Sequence, residues 1–531
     1  MRKATALVGT RAARATRLAA RSAPVSLGLP ALLVLAAWLA FFNQLDGFPL
    51  FDVDEGAFSE ATREMLARGD YITTYLNGQP RFDKPILTYW LQALSVLLFG
   101  PREFAFRLPS ALAAVGWMVA ILFFTRRQSD RRTAYVAALI AATSVGVGVI
   151  GRAATADALL NLFLALAMFD IYRYMELPLK RYRRRALLWI ALGVLTRGPV
   201  ALLIPFAVSA IAFALHGKLR DWRQAVLDPA CWGILLAVAA PWYVFEYVRQ
   251  GDAFIAGFFL RHNVERFMAP LQGHRGHVLY YLPAVLLLLL PYSGLLLRIV
   301  PTVRQLRARP LDTFLWCWFL FVLAFFSLAA TKLPHYLLYG LTPLFVLMAM
   351  RRGLLQSRLL AFAPPILLLA AVVVLPAALH HVGAGMRDDY LREALTRREA
   401  FGLVYRIATP TLLLACVVLA VMPRYQVWQK LVASGVLCAA TVGGLLLPAL
   451  GELQQGPVKE AALFARDAGL LVRTWHFNVP SFSVYRGKIT ESATTPRPGE
   501  ILLTRSSSLA ELGAVEVLYR KGGVLLVRLP P

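Results

Sequence analysis

The sequence predicts an all-α polytopic membrane protein with about 13 transmembrane helices and a small C-terminal α/β domain. Of 531 residues, 58% are hydrophobic and 16% are charged, and the mean hydropathy is +0.59. Long apolar runs recur from residue 27 to about residue 450, as in chains that cross a bilayer many times. The segment 451–531 lacks such runs. A cytosolic enzyme, a secreted disulfide scaffold and a disordered chain are therefore excluded.

The predicted spans are apolar runs that approach the roughly 20 residues a bilayer crossing needs. The first, at 27–42, follows a basic segment and is interpreted as an uncleaved helix, not a signal peptide. The shortest runs meet at Arg197-Gly198-Pro199. After the first span, crossings are predicted at 104–124, 133–151, 154–172, 186–197, 199–215, 230–247, 278–297, 313–330, 335–350, 359–379, 408–422 and 431–449.

Charge placement predicts the topology. The chain carries 56 Lys and Arg against 30 Asp and Glu, a net charge of +26. With a cytoplasmic N-terminus, every basic cluster between spans lies on the cytoplasmic side, as the positive-inside rule requires. The positive charge is thus explained by topology, and no nucleic-acid partner is expected. An odd number of crossings places the C-terminus in the periplasm.

The chain is predicted to form two domains, a membrane domain over 1–450 and a periplasmic domain over 451–531. Three outer segments are too long to be simple connections, at 43–103, 249–277 and 380–407. In the tail, a helix is predicted over 458–468, followed by strands over 470–476, 481–485, 500–504 and 515–529. Gly522-Gly523 divides the last of these as in a hairpin. The four cysteines show no C-x-x-C spacing and suggest neither a zinc ribbon nor a disulfide framework.

Three acidic residues lie within four positions of the first outer segment: Asp52, Asp54 and Glu55. Carboxylates near a membrane are costly unless they are paired or used. One interpretation is a helix cap, because Asp is common at the N-cap and Glu in the first helical turn. The other is a catalytic group. The residues alone leave the two interpretations open.

The continuation of this segment resembles a known family. Arg63-Glu64-Met65-Leu66, Gly69-Asp70, Leu76-Asn77-Gly78, Phe82-Asp83-Lys84-Pro85 and Tyr89-Trp90 are similar to motifs of the lipid A aminoarabinose transferases and the wider GT-C membrane glycosyltransferases, which include the protein O-mannosyltransferases. The resemblance continues over about residues 30–350, through these segments: Gly151-Arg152 to Asp157, Arg261-His262-Asn263 to Arg266-Phe267, Tyr280 to Pro283, Pro291 to Ser293, and Lys332 to Tyr336.

This resemblance implies an inner-membrane glycosyltransferase of GT-C fold that acts on the periplasmic face. It would move a sugar, expected to be 4-amino-4-deoxy-L-arabinose, from a polyprenyl-phosphate donor to lipid A or a related envelope acceptor. By their match to the family motifs, Asp54 and Asp157 are candidate catalytic residues, with Glu55 orienting Asp54. Asp157 has the alternative role of a helix N-cap. Whether Asp54 acts as a base depends on the acceptor, since a hydroxyl must lose a proton and a phosphate need not.

A phosphate leaving group requires positive charge where negative charge develops. The expected donor phosphate-binding residues are Lys84, Arg266, Lys332 and Tyr336. For the last two, interfacial anchoring is the alternative. The resemblance also implies a zinc site with Asp83 and His262, although Asp83 replaces the usual Glu and two ligands are fewer than zinc normally takes.

Two alternatives remain at this stage. A GT-C transferase for another sugar or acceptor, such as protein O-mannosylation, shares the motifs. A transporter of lipid-linked sugar is the alternative from a different class. A transporter predicts ionisable residues at mid-membrane on interrupted helices and inverted repeats, whereas here the acids lie in outer segments and no repeat is found.

Overall fold

The computed structural model describes residues 28–265, 268 and 276–531. Within them the chain is mainly helical. The N-terminal half contains these α-helices: α1 (Gly28–Ala37), α2 (Asp54–Arg68), α3 (Leu87–Phe99), α4 (Glu103–Gln128), α5 (Arg131–Thr143), α6 (Val145–Ile150), α7 (Asp157–Glu176), α8 (Lys180–Arg197), α9 (Val200–Leu215), α10 (Leu219–Val226), α11 (Pro229–Gln250) and α12 (Asp252–Phe254).

The C-terminal half continues with α13 (Tyr281–Leu288), α14 (Ser293–Ile299), α15 (Pro310–Leu328), α16 (Thr342–Met350), α17 (Arg358–Ala384), α18 (Asp389–Leu395), α19 (Leu403–Val421), α20 (Val427–Thr441), α21 (Leu447–Asp467) and α22 (Ser481–Arg486). Short π-helices occur at Trp38–Phe42, Ile255–Glu265 and Val442–Leu446. Turns of 3₁₀-helix occur at Val278–Tyr280, Val300–Gln305, Pro334–Gly340, Arg352–Leu354, Arg398–Ala400 and Ser506–Leu512.

The helices make this a multi-pass membrane protein. In the described part of the chain, 7 helices are long and apolar enough to cross a membrane, or 8 when one bent pair is included. Shorter apolar helices lie at Gly28–Phe42, Leu87–Phe99 and Val200–Leu215. The predicted span at 278–297 is the bent pair, Val278–Leu288 with Ser293–Gln305, whose two halves meet at 119°. This segment is therefore not the straight helix that its hydropathy predicted.

Large aromatic side chains fill the centre of the helical bundle. Phe124 of α4 stacks on Phe169 of α7 with ring centroids 4.0 Å apart. Trp117 of α4 is 1% exposed and donates a hydrogen bond to the Thr342 hydroxyl of α16 at 2.8 Å, so its polar atom is satisfied inside the apolar core. Helix α7, which begins at Asp157, packs against both α4 and α8. These contacts position the start of α7, where Asp157 lies.

The C-terminal segment forms a four-stranded sheet in the order β3-β4-β6-β5, with β3 at Val472–Thr474, β4 at Ile501–Arg505, β5 at Glu516–Lys521 and β6 at Val524–Arg528. β3 pairs with β4 in parallel, and the other pairs are antiparallel. β5 and β6 form the hairpin predicted around Gly522-Gly523, both of which have positive φ. A separate two-stranded hairpin, β1 (Tyr75–Leu76) with β2 (Gln79–Pro80), lies in the first outer segment.

The structure corrects two predictions for the C-terminal part of the chain. The predicted strand over 481–485 is wrong, because this segment is helix α22. The last predicted span does not end near residue 449, because α20, the π-turn and α21 form one helix over Val427–Asp467 that leads directly into the sheet. Helix α21 thus connects the membrane bundle to the C-terminal sheet without a flexible linker.

Candidate active site

A cavity of about 370 Å³ lies at the N-terminal ends of α2 and α7. Its polar lining includes Asp52, Asp54, Asp157, His335 and Gln454. The cavity therefore brings together the acidic cluster of the first outer segment and the second predicted catalytic acid, which are about a hundred positions apart in the sequence. Helix α21 supplies part of the opposite wall.

Asp54 and Glu55 are adjacent, yet the structure gives them different environments. Asp54 is exposed at the first position of α2 and faces the cavity. Glu55 is 4% exposed, and its carboxylate accepts hydrogen bonds from the Phe51 amide at 2.9 Å and the Ala154 amide at 2.7 Å. Glu55 is thus held in the first turn of α2 by backbone amides, whereas the neighbouring Asp54 is the exposed carboxylate of the pair.

Arg107 of α4 holds Glu55 in place. Its Nη2 donates to one Glu55 oxygen at 2.7 Å and its Nε to the other at 2.9 Å. Arg107 is fully buried and also donates to the carbonyls of Leu45, Phe48 and Pro49. A planar guanidinium bound to both carboxylate oxygens fixes direction as well as distance. Arg107 was not predicted from the sequence, because it lies in the apolar run 104–124, which was interpreted only as a membrane span.

Asp157 lies in a second polar cluster. It is 4% exposed at the start of α7, forms an ion pair with Arg197 at the end of α8, and accepts a hydrogen bond from the Tyr339 hydroxyl at 2.7 Å. The Arg197 guanidinium lies 3.3 Å from Nε2 of His335 and 5.7 Å from the ring centroid of Tyr336. Tyr336, predicted for phosphate binding, therefore packs beside the same Arg197 cation that pairs with Asp157.

Arg197 and Tyr339 were not predicted from the sequence. The signal for Arg197 was available, because a charged residue at the junction of two apolar runs needs a partner. Tyr339 lies in a 3₁₀-turn within a run that was read as a transmembrane span.

The segment between the β1-β2 hairpin and α3 contributes a third group of charges. Asp83 accepts from Lys84 Nζ at 2.6 Å and from Arg81 Nη2 at 3.1 Å. Arg81 also donates to the hydroxyl of Tyr89 at 2.9 Å. Burial lowers the pKa of Arg81, but the charges of Tyr89, Asp83 and Asp54 outweigh it and hold that pKa above its ordinary value. The electrostatic influence of Asp54 on Arg81 connects this group to the cavity.

Lys332 is placed differently from its predicted role. It is 5% exposed, and its Nζ donates to the carbonyls of Ser327 at 2.6 Å, Ala329 at 2.5 Å and Phe326 at 3.1 Å. These carbonyls end helix α15, where a cation satisfies acceptors that have no helical partner. Arg266 lies outside the described residues, so its predicted role stays a prediction.

The predicted zinc ligands, Asp83 and His262, do not form a metal site among the described residues. In the described residues, no group of three or more His, Cys, Asp and Glu side chains lies together. Asp83 is already engaged by two cations, which oppose the binding of a third at the same carboxylate. The backbone at His262 belongs to the π-helix Ile255–Glu265, but its side chain lies outside the described residues.

Comparison with known proteins supports the resemblance found in the sequence. Residues 83–245 match the family model described as dolichyl-phosphate-mannose-protein mannosyltransferase. The undecaprenyl phosphate-alpha-4-amino-4-deoxy-L-arabinose arabinosyl transferase of Yersinia enterocolitica is 32% identical over 330 residues, which cover 60% of this chain and 58% of the relative. The protein of the same name from Pectobacterium carotovorum is 30% identical over 420 residues, 77% of this chain and 68% of the relative.

The fold also has a solved counterpart. The crystal structure of ArnT from Cupriavidus metallidurans bound to undecaprenyl phosphate superposes with a TM-score of 0.79 at 20% identity, covering 95% of this chain and 98% of the other. The fold is thus that of a multi-pass GT-C membrane protein with a small C-terminal sheet. The chain belongs to the undecaprenyl phosphate-aminoarabinose arabinosyl transferase family. It spans a little under three fifths of the length of the Yersinia relative that it matches.

Proposed function

We propose that this protein is a glycosyltransferase that moves 4-amino-4-deoxy-L-arabinose from a polyprenyl-phosphate donor to lipid A or a related envelope acceptor. The observation that carries the proposal is the cavity in which the exposed carboxylate of Asp54 faces Asp157 and His335. The names of the relatives supply the sugar and the donor, and lipid A as acceptor comes from the family resemblance found in the sequence. The site supplies the groups that such a reaction needs.

Asp54 is the proposed catalytic residue. With a hydroxyl acceptor, its carboxylate takes the proton as the hydroxyl oxygen attacks the anomeric carbon, and the bond from that carbon to the phosphate oxygen breaks to release polyprenyl phosphate. With a phosphate acceptor no proton need be removed, and the carboxylate instead stabilises the positive charge on the sugar in the transition state. Glu55 and Arg107 orient the helix turn that carries Asp54. Asp157 orients Arg197 towards the cavity wall.

Positive charge for the leaving phosphate is proposed to come from Lys84 and Arg197, with Arg266 as a further predicted member. Lys84 and Arg197 interact electrostatically with the same carboxylate, that of Asp83, so the two cations belong to one neighbourhood. Tyr336 adds a hydroxyl beside Arg197. For Lys332, the three carbonyl contacts favour a structural role at the end of α15 over direct binding of phosphate.

We also propose 13 membrane crossings in the inner membrane, a cytoplasmic N-terminus, and a cavity and C-terminal sheet that face the periplasm. The distribution of basic residues between the apolar runs supports this orientation. Fusions of alkaline phosphatase after residues 128, 216 and 467 test it. Activity is expected only at 467, and activity at 128 would reverse the topology.

The described residues around Asp83 do not fit a metal ion, because Arg81 and Lys84 already pair with its carboxylate. The proposed reaction therefore uses side chains only. Zinc at Asp83 and His262 stays a prediction of the family resemblance. Metal analysis of the purified protein and of Asp83→Ala checks it, with loss of about one equivalent of zinc in the variant as the result that would establish the site.

Mass spectrometry of lipid A tests the main proposal. The host lacks its own transferase and expresses either the wild type or Asp54→Asn at equal membrane levels. A pentosamine-sized addition is expected with the wild type only. Addition with both proteins removes Asp54 from the mechanism. If lipid A gains no pentosamine with either protein, lipid A is not the acceptor.

A second acceptor class is supported by one finding, the match of residues 83–245 to the protein mannosyltransferase model. Under this alternative the same cavity transfers a hexose to a serine or threonine hydroxyl, and Asp54 acts as the base. Glycoproteomics of the same cells distinguishes the two, since hexose on periplasmic peptides with unmodified lipid A would favour it.

A further inference from the structure

Helix α22 of the C-terminal sheet domain contacts the backbone segment that leads into Asp54. The backbone N–H of Ser481 donates to Asp52 Oδ1 at 3.0 Å, and its hydroxyl donates to Asp52 Oδ2 at 2.5 Å. Ser481 is fully buried. One residue of the C-terminal domain thus holds both oxygens of a carboxylate that lies two positions before the candidate catalytic residue.

The sequence of α2 accommodates this contact. A Cβ atom at Gly56 would lie 1.9 Å from Asp52 Oδ1 and 2.7 Å from the backbone nitrogen of Ser481. Any larger residue at position 56 would therefore displace either the carboxylate or the backbone of α22. The absence of a side chain at Gly56 is what lets α22 reach the first turn of α2.

A second contact lies one turn along α22. The Tyr485 hydroxyl accepts a hydrogen bond from the Leu50 amide at 2.7 Å and donates to Glu103 at 3.0 Å. Glu103 in turn pairs with Lys459 of α21 at 2.5 Å. The segment before Asp54 is therefore attached to the C-terminal domain at two places.

The segment after Asp54 is attached to the membrane bundle. Glu55 is fixed by Arg107 and by the Ala154 amide, as described above. Asp54 thus lies between residues 50 and 52, held by the C-terminal domain, and residue 55, held by the bundle. Catalytic groups need such support, because a displacement of about 1 Å can reduce a rate roughly a hundredfold.

We propose that Ser481 is a positioning residue for Asp54 that acts through Asp52, so that the C-terminal domain is part of the catalytic apparatus. The proposal rests on the proposed function above. It extends that function by assigning to the tail a role in catalysis instead of attachment alone. Ser481 itself touches no reacting atom.

The test compares Ser481→Ala with Ser483→Ala in the purified full-length protein. Ser483 is a matched control, because it is a buried serine of the same helix whose hydroxyl contacts Asn77 at 2.9 Å, away from residues 50–54. Transfer is measured with a polyprenyl-phosphate aminoarabinose donor and lipid A. Ser481→Ala is expected to lower kcat about tenfold, to leave KM for the donor within about twofold, and to shift the pH profile of kcat. Ser483→Ala is expected to leave kcat and the pH profile unchanged.

Two results would overturn the proposal. One is a parallel loss of activity and melting temperature in both variants, which would show domain attachment only. The other is an unchanged kcat and pH profile in Ser481→Ala. If Ser481→Ala is not recovered from membranes, Ser481→Cys replaces it, since a thiol of similar size is a weaker donor and an intermediate effect is expected.

Hydrogen exchange separates failure of this proposal from failure of the proposed function. Exchange at residues 50–57 is expected to accelerate in Ser481→Ala and not in Ser483→Ala. An inactive wild type would contradict the proposed function. Hydrogen exchange would then still test whether Ser481 holds Asp52 and the segment around it. Unchanged exchange at residues 50–57 overturns the positioning role whether or not the wild type is active.

Discussion

Glu55 and Arg107 form a buried ion pair in which the guanidinium binds both carboxylate oxygens, at 2.7 and 2.9 Å. Arg107 also holds three carbonyls of the segment between α1 and α2. The pair therefore attaches the loop of the candidate catalytic residue to transmembrane helix α4. Breaking it leaves an uncompensated charge in a place that water does not reach.

The first prediction concerns this pair. Arg107→Met is expected to destabilise the protein by roughly 3 to 5 kcal/mol, because Glu55 and the loop carbonyls lose their donors. Melting temperature and yield in detergent measure the effect. Asp54→Asn, one residue from Glu55 but exposed to the cavity, is the control and is expected to melt like the wild type. Equal melting of Arg107→Met and wild type would contradict a structural role for the pair.

A second prediction separates Lys84 from Lys332, two lysines with the same predicted role. Lys332→Met is expected to cost about 1 to 3 kcal/mol of stability, because carbonyls at the end of α15 lose their donor. Its donor affinity should stay within about twofold of wild type. Lys84→Ala is expected to weaken donor binding about tenfold or more, since a charge-assisted hydrogen bond contributes roughly 1.5 to 3 kcal/mol.

Donor binding by isothermal titration, with melting of each variant measured in parallel, distinguishes these outcomes. The reverse pattern, with Lys332→Met stable but weak in binding, would restore the phosphate role predicted from the sequence. Weak binding in both variants with unchanged melting would place both lysines at the donor.

The third prediction follows from the protonation of Asp52. Burial and, to a smaller extent, the charge of Glu55 raise the pKa of Asp52 to about 7, against the lowering effect of the hydrogen bonds from Ser481. The charges of Asp52 and Tyr390 of α18 also influence each other. The folded protein thus retains a proton that the unfolded chain releases near pH 4. This contribution to stability is complete below about pH 4, decreases as the pH rises, and is lost above about pH 7.

Melting between pH 5 and pH 8 measures this effect. The wild type is expected to lose more stability over this range than Asp52→Asn, which has no titrating group at this position. Burial also raises the pKa of Glu60 to about 7, so part of the decrease in stability with pH is expected to persist in Asp52→Asn and to become smaller when Glu60→Gln is added. If the melting temperature changes with pH identically in the wild type and in Asp52→Asn, Asp52 is already ionised in the folded protein over this range.

Much of the fold was predictable because hydropathy in a bilayer is a strong signal. The same signal misled at residues 278–297, because composition does not record the bend between the two halves of the helix. Residues 481–485 alternate polar and apolar side chains, a strand pattern, but they form a helix between Pro480 and Gly487. Pro at a helix start and Gly just past its end were the available signals.

The site was less predictable, since it depends on contacts between distant segments. Motif similarity identified Asp54 and Asp157, and the structure places both in one cavity. It could not show that Glu55 turns away to Arg107 or that Ser481 reaches Asp52 across 429 positions. Nor could the pattern around Lys332 show which way its side chain points. Such contacts depend on the packing of the whole chain.

The fourth prediction tests the support of Asp157. Tyr339→Phe removes the hydroxyl that donates to Asp157 at 2.7 Å and keeps the ring that packs beside Arg197. We expect kcat to decrease about tenfold, because Asp157 and its partner Arg197 lose a fixed orientation at the cavity. The matched control is Tyr405→Phe, a buried tyrosine that donates to the Val372 carbonyl at 2.6 Å and belongs to a separate apolar cluster. Each variant loses one buried hydrogen bond. The expected cost is about 1 kcal/mol for Tyr405→Phe and roughly 1.5 to 3 kcal/mol for Tyr339→Phe, because the acceptor in the second case is a carboxylate. Only Tyr339→Phe should lose activity, and equal activity in the two variants would remove Tyr339 from the site.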